Sequence, residues 1–204
     1  MLRASIAAGI LAFLIIGLPA ASAPAGQTAK APPKAPAKAA PHTNANAAVI
    51  SDFLKRVDAY VAQHKKHEDT LPKLSKQTTP QEIDTHQRAL AKLIQASRQA
   101  AKQGDLLTPA MQRLVRSLLL PIFAGKDGAQ VRNEILDKEY KGDVKLAVNG
   151  RYPDEVPVST MPPQVLEALP KLPEEIEYRF IQNNLILFDS HAHIIADYMI
   201  RAFN

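Results

Sequence analysis

Ile176-Glu177-Tyr178-Arg179-Phe180-Ile181 runs into Gln182-Asn183-Asn184, and Leu185-Ile186-Leu187-Phe188-Asp189 follows. Two apolar runs rich in β-branched and aromatic residues, joined by residues that tolerate a positive φ, read as a β-hairpin. A further strand over roughly His193 to Met199 follows a bend at Ser190-His191-Ala192. This stretch decides the fold class, because most of the chain before it reads as helix or loop. A lone hairpin is only marginally stable in water, so these strands need a helical layer to lie on.

That layer is legible upstream. Ile50, Phe53, Leu54, Val57, Tyr60 and Val61 recur at three- and four-residue steps, which predicts an amphipathic helix over 49–66. Thr79-Pro80-Gln81-Glu82 combines an N-cap, a first-turn proline and a capping glutamate. It opens a second helix with Ile83, Leu90, Leu93 and Ile94 on one face and a stop near Gln103-Gly104. Thr108-Pro109 repeats the start signal ahead of Met111, Leu114, Val115, Leu118 and Leu119. Asp127 is expected to cap a fourth helix that carries Val131 and Ile135 and ends near Gly142. Val144, Leu146 and Val148 alternate as a short strand would, ahead of the turn signal Asn149-Gly150. The prolines from Pro153 to Pro173 then leave room for only a short helix between Pro163 and Leu169. The expected fold is α+β: about four amphipathic helices followed by a small antiparallel sheet, a C-terminal hairpin of two to three strands.

The N-terminus reads differently. Met1-Leu2-Arg3, an apolar run from Ile6 to Leu18 and small residues through Ala25 have the layout of a cleavable secretory signal peptide over 1–25. The run is shorter than the roughly 20 residues that span a bilayer core. Residues 26–48, as in Ala31-Pro32-Pro33-Lys34-Ala35-Pro36, bury too little apolar surface to order themselves and read as a disordered Ala/Pro/Lys tether. One domain over 49–204 is expected, helical over 49–142, with a proline-rich loop and the hairpin over 143–204. The protein is expected in the periplasm or secreted, touching a membrane only through the leader before cleavage. It has no cysteine, so neither a disulfide nor a lipoprotein anchor is available.

Charge excludes one class of function. The chain carries a net +5, but Arg3, Lys30, Lys34 and Lys38 all precede residue 49 and leave a nearly neutral domain. The high pI therefore does not predict a nucleic-acid partner. Within the domain the signs separate: residues 49–116 are net basic and 117–204 net acidic. Such polarity favours attraction within or between chains.

Several stretches resemble a family of uncharacterised secreted bacterial proteins. They are Phe53, Arg56-Val57, Tyr60 and Lys65-Lys66, then His86 to Ala91, then Ala101 to Asp105 with Thr108-Pro109. Further on come Val148-Asn149, Arg151-Tyr152-Pro153, Met161-Pro162-Pro163 and Leu172-Pro173-Glu174. Glu177-Tyr178-Arg179, Leu185 and Asp189 complete the set. The resemblance spans the domain and implies export and unity, with no assigned activity.

Asp189-Ser190-His191-Ala192-His193 is the most chemical stretch. On a strand, residues two apart share a face, so His191 and His193 can bite one metal while Asp189 ligates it or orients a histidine. In an exported protein that metal is zinc, copper or nickel. His64 and His67 stand near the end of the first helix, with Lys65 and Lys66 between them to repel a cation. His86 shares the line of Ile83, Leu90 and Leu93, as a buried histidine or a catalytic base. No Cys nucleophile, Gly-x-Ser-x-Gly elbow, Gly-rich phosphate loop or His-Glu-x-x-His is present, so no catalytic residues are assigned. Three functions follow. The first is a non-enzymatic envelope module that binds a protein or peptide. The others are a metal-binding accessory protein using Asp189, His191 and His193, and a hydrolase with a histidine acid–base.

Overall fold

The computed structural model describes residues 45–136 and 144–203. The hairpin strands β2 (Ile176–Ile181) and β3 (Asn184–Asp189) pair from Ile176 opposite Asp189 to Ile181 opposite Asn184. The connection is therefore Gln182-Asn183 alone, and its positive φ falls on Gln182 (54°). β4 (Ile194–Met199) pairs antiparallel with β3, and β1 (Gly150–Arg151) pairs antiparallel with β4. The sheet order is β1-β4-β3-β2, four strands where two to three were expected. The extra strand begins at Gly150, straight after a turn at Val148-Asn149, and the run expected as a strand over Val144 to Val148 forms none. Asn149 takes φ 58° and donates its N–H to the Ile195 carbonyl (2.8 Å), which docks the next two residues on β4.

Helices α1 (Ala45–Glu68), α2 (Pro80–Ser97), α3 (Pro109–Ala124), α4 (Gly128–Ile135) and α5 (Pro163–Ala168) make an α+β fold with this sheet. α1 is already helical at Ala45, the first described residue, four residues ahead of the expected start, and Ala45, Ala47 and Ala48 favour helix there. It runs to Glu68, which puts His64 a full turn inside its C-terminus. α2 has the predicted capping box: Thr79 and Glu82 each bond the other's backbone N–H. It stops at Ser97; Gly104 does take a positive φ (91°), but in the loop before α3. Asp127 makes no side-chain cap bond to α4. The leader, most of the tether and the helix end near Gly142 lie outside the described residues. Among the described residues no helix is long and apolar enough to cross a membrane.

Both faces of the sheet are covered. Tyr178, Phe180, Leu185, Leu187, Ile194 and Met199 join the helical core around Phe53, Val57, Leu90, Ile94, Leu107 and Met111. Ile181, Ile186, Phe188 and Ile195 meet Tyr152 and Val156 of the proline-rich segment. That segment is thus a lid on the sheet, fastened where Ser159 Oγ donates to the Phe180 carbonyl (2.9 Å) and accepts its N–H (3.1 Å). A bulge in β3–β4 pairing carries one consequence: register shifts between Leu187 and Phe188, leaving Leu187 opposite Asp197 and Phe188 opposite Ile195. The extra residue returns Asp197 to the helical face, from which plain alternation would turn it away.

Candidate metal centre

α1 offers its inner face to β3, and their polar residues meet there. Tyr60 and His64 are four apart and so share a face. Both point at Asp189, the last residue of β3, which is fully buried. Tyr60 Oη donates to Asp189 Oδ2 (2.6 Å), and His64 Nδ1 stands 2.7 Å from the same oxygen. Asp189 Oδ1 accepts the Ala192 N–H (2.8 Å), which shapes the bend into β4. A carboxylate only accepts, so Nδ1 of His64 carries a proton and Nε2 is the nitrogen left to act.

Nε2 of His64 faces outward to Glu68 Oε2 at 3.3 Å. Glu68 lies one further turn along α1, and its Oε1 stands 2.9 Å from His191 Nδ1 on the β3–β4 turn. The rings of His64 and His191 are 5.5 Å apart between centroids. One donor atom each from His64, Glu68 and His191 can be chosen so that all lie within 4.8 Å of one another. Donors held at about 2 Å by a tetrahedral ion stand roughly 3.3 Å apart, so a small inward rotation of these side chains makes a metal-sized nest. His86 Nε2 of α2 is 3.8 Å from Glu68 Oε1, at the rim of the same cluster.

The electrostatics follow from burial and charge. Burial pushes the His64 imidazole toward its neutral form, but the hydrogen bond and charge of Asp189, helped by Glu68, outweigh it and raise its pKa. Burial, then the Asp189 charge, holds the Tyr60 hydroxyl well above its ordinary range. Arg98 stacks 4.6 Å over the Tyr60 ring and supplies a cation on that side. Lys65, read as a repelling charge, turns away to Glu175 (2.8 Å). A cleft of about 530 Å³ opens on the cluster, lined by Glu68, Lys73, Leu74, Ile83, His86 and His191 among others.

The predicted trio does not converge. Asp189 and His191 meet at this centre, Asp189 from behind His64 and His191 at the cleft. His193 takes φ 54°, turns to the other face of the sheet and packs edge-on against Tyr152 and Phe188. Its nearest acidic partner there is Asp154 at 3.6 Å. His67 bonds Ser97 Oγ (2.9 Å), away from the centre. Asp197 serves a separate network of backbone amides from 104–107. Sequence reading missed Glu68 and the role of His64, although His64-x-x-x-Glu68 is the spacing that stacks two ligands on one helix face. No family model, curated protein or solved structure matches this chain.

Proposed function

We propose that the protein binds a divalent transition-metal ion outside the cytoplasm, with His64, Glu68 and His191 as ligands and Asp189 as the positioning residue behind His64. The convergence of these three side chains at the end of a buried Tyr60–Asp189–His64 chain carries the reading. A carboxylate bonded to the far nitrogen of a ligating histidine fixes its tautomer and strengthens it as a donor. Two imidazoles and one carboxylate suit zinc, nickel or copper, whereas calcium and magnesium want oxygen ligands. The leader expected over 1–25 supplies the location.

Zinc titration of the purified, metal-stripped chain tests the ligand set. One equivalent is expected to bind. His191→Ala should weaken binding more than about a hundredfold, beyond the range seen when only an outer partner is lost. His191 is exposed, so the metal-free melting temperature of that variant should move by no more than about 2 °C. Binding that survives in both His64→Ala and His191→Ala, or no binding at all, overturns the ligand set. Recovery of the chain solely from the cytoplasmic fraction overturns the location.

A further inference from the structure

The metal reading leaves one side of the centre unfilled by protein. Asp189 and Tyr60 occupy the buried side of His64, and the cleft of about 530 Å³ lies against Glu68 and His191. Three protein ligands around zinc leave a fourth position, which in such sites is taken by water or an incoming ligand. The walls describe what that ligand is. Leu74 and Ile83 are large apolar side chains exposed at 46% and 39%, and both line the cleft. Lys73 stands beside Leu74 as the cleft's one lysine or arginine, and Asp69 is the other carboxylate at the rim besides Glu68. The ion, Lys73 and the Arg98 that lies over Tyr60 bring about four positive charges against the three of Glu68, Asp69 and the buried Asp189, so the loaded site keeps a net positive charge and attracts an anion.

Resting on that reading, we propose that the cleft is a ligand site for a small organic carboxylate with a branched apolar arm. A carboxylate oxygen takes the ion's fourth position, Lys73 shares the remaining charge, and the arm covers Leu74 and Ile83. Burial of that arm adds affinity roughly in proportion to the methylenes removed from water. Charge alone would not distinguish a branched acid from acetate.

The test uses the cobalt(II)-loaded chain, whose visible absorption reports the ion's own coordination shell. Isovalerate, acetate and the neutral isovaleramide are titrated in turn. Isovalerate should shift the spectrum at about tenfold lower concentration than acetate, the scale expected for partial burial of its extra carbons. Isovaleramide should leave the spectrum unchanged. Ile83→Asn should bring isovalerate to within about twofold of acetate, and Lys73→Ala should weaken both acids about threefold or more, with cobalt affinity unchanged in each. Both positions are solvent-exposed, so neither variant should disturb folding. A spectrum blind to both acids, or isovalerate no tighter than acetate, overturns the cleft assignment while the metal centre stands. Failure of cobalt to bind overturns the metal reading itself.

Discussion

Asp189 and Asp197 are both fully buried, both on the helical face of the sheet, and eight residues apart. They do opposite things. Asp197 accepts backbone N–H groups from Gly104 (3.0 Å), Leu106 (2.8 Å) and Leu107 (2.9 Å), and from Tyr198 (2.8 Å). Amides do not titrate and do not ligate metals, so this carboxylate is a fastening that pins the loop ahead of α3 to β4. Asp189 takes only one backbone amide and spends its other oxygen on Tyr60 and His64. Those partners gain and lose protons, and one of them faces a cleft. The difference separates a carboxylate that holds the fold from one that organises chemistry.

Replacing the two in turn should give the largest effects and pull them apart. Asp197→Ala orphans the buried amides of Leu106 and Leu107 and removes both acceptors of the partly buried Gly104 amide. The expected loss is about 4 kcal/mol of stability, the scale of several buried donors left without acceptors. In a domain of this size that lowers the melting temperature by roughly 10 °C. Zinc affinity of the folded fraction should stay within about twofold. Asp189→Asn keeps the shape and loses the charge; it should cost about 2 kcal/mol and weaken zinc binding about 10- to 100-fold. Equal losses of affinity in both variants would erase the distinction.

That contrast was only half legible in the sequence. Local signals were readable because local physics sets them: the Thr79–Glu82 box and the three- and four-residue stripe of α1 needed nothing from elsewhere. The hairpin was readable from its two apolar runs, but its register was not: the link expected over Gln182-Asn183-Asn184 is a two-residue turn, with Asn184 already in β3, and Leu185-Ile186-Leu187-Phe188 carries no alternation to fix the pairing. β1 was not readable, because two residues carry no period and their pairing depends on Asn149 reaching β4. Nor was the bulge that turns Asp197 inward. At the centre, Asp189 and His191 stood out as neighbours in sequence. His64 reads in the sequence only as one of two histidines near the end of a helix expected to stop at 66; two more residues of helix and a contact 125 positions away bury it.

A smaller effect concerns pH, and here proton and metal pull in opposite directions. Asp189 and Glu68 face His64 and raise its pKa above the ordinary 6.5, with Tyr60, His191, His86, Glu175 and, in the cleft, Asp69 and Lys73 among the other titratable groups around the cluster. A raised folded value means that protonated His64 stabilises the metal-free protein fully below its unfolded value of about 6.5, and that this contribution fades as pH climbs through the folded value. Metal binding needs the neutral ring, so zinc affinity should rise over the same window. Melting curves at about pH 6 and about pH 8.5, with and without zinc, measure both. The zinc-induced gain in melting temperature should be larger at the higher pH. A gain that shrinks with rising pH would show that the ion avoids His64.

The smallest expected effect sits at His193, and it sharpens the comparison from outside. Spacing alone pairs His193 with His191, because on a strand residues two apart look the same way. The pairing fails because Asp189 captures the Ala192 N–H and closes a turn, and the chain leaves that turn through a left-handed residue at His193 (φ 54°). The carboxylate that positions His64 therefore also sends His193 to the far face, among Tyr152 and Phe188. His193→Ala should cost about 1 kcal/mol through lost aromatic contact and leave zinc affinity unchanged. His193→Gly should recover part of that loss, since glycine adopts the positive φ without strain. A drop in zinc affinity in either variant, with stability intact, would put His193 back beside His191 and dissolve the division of labour between the two faces of the sheet.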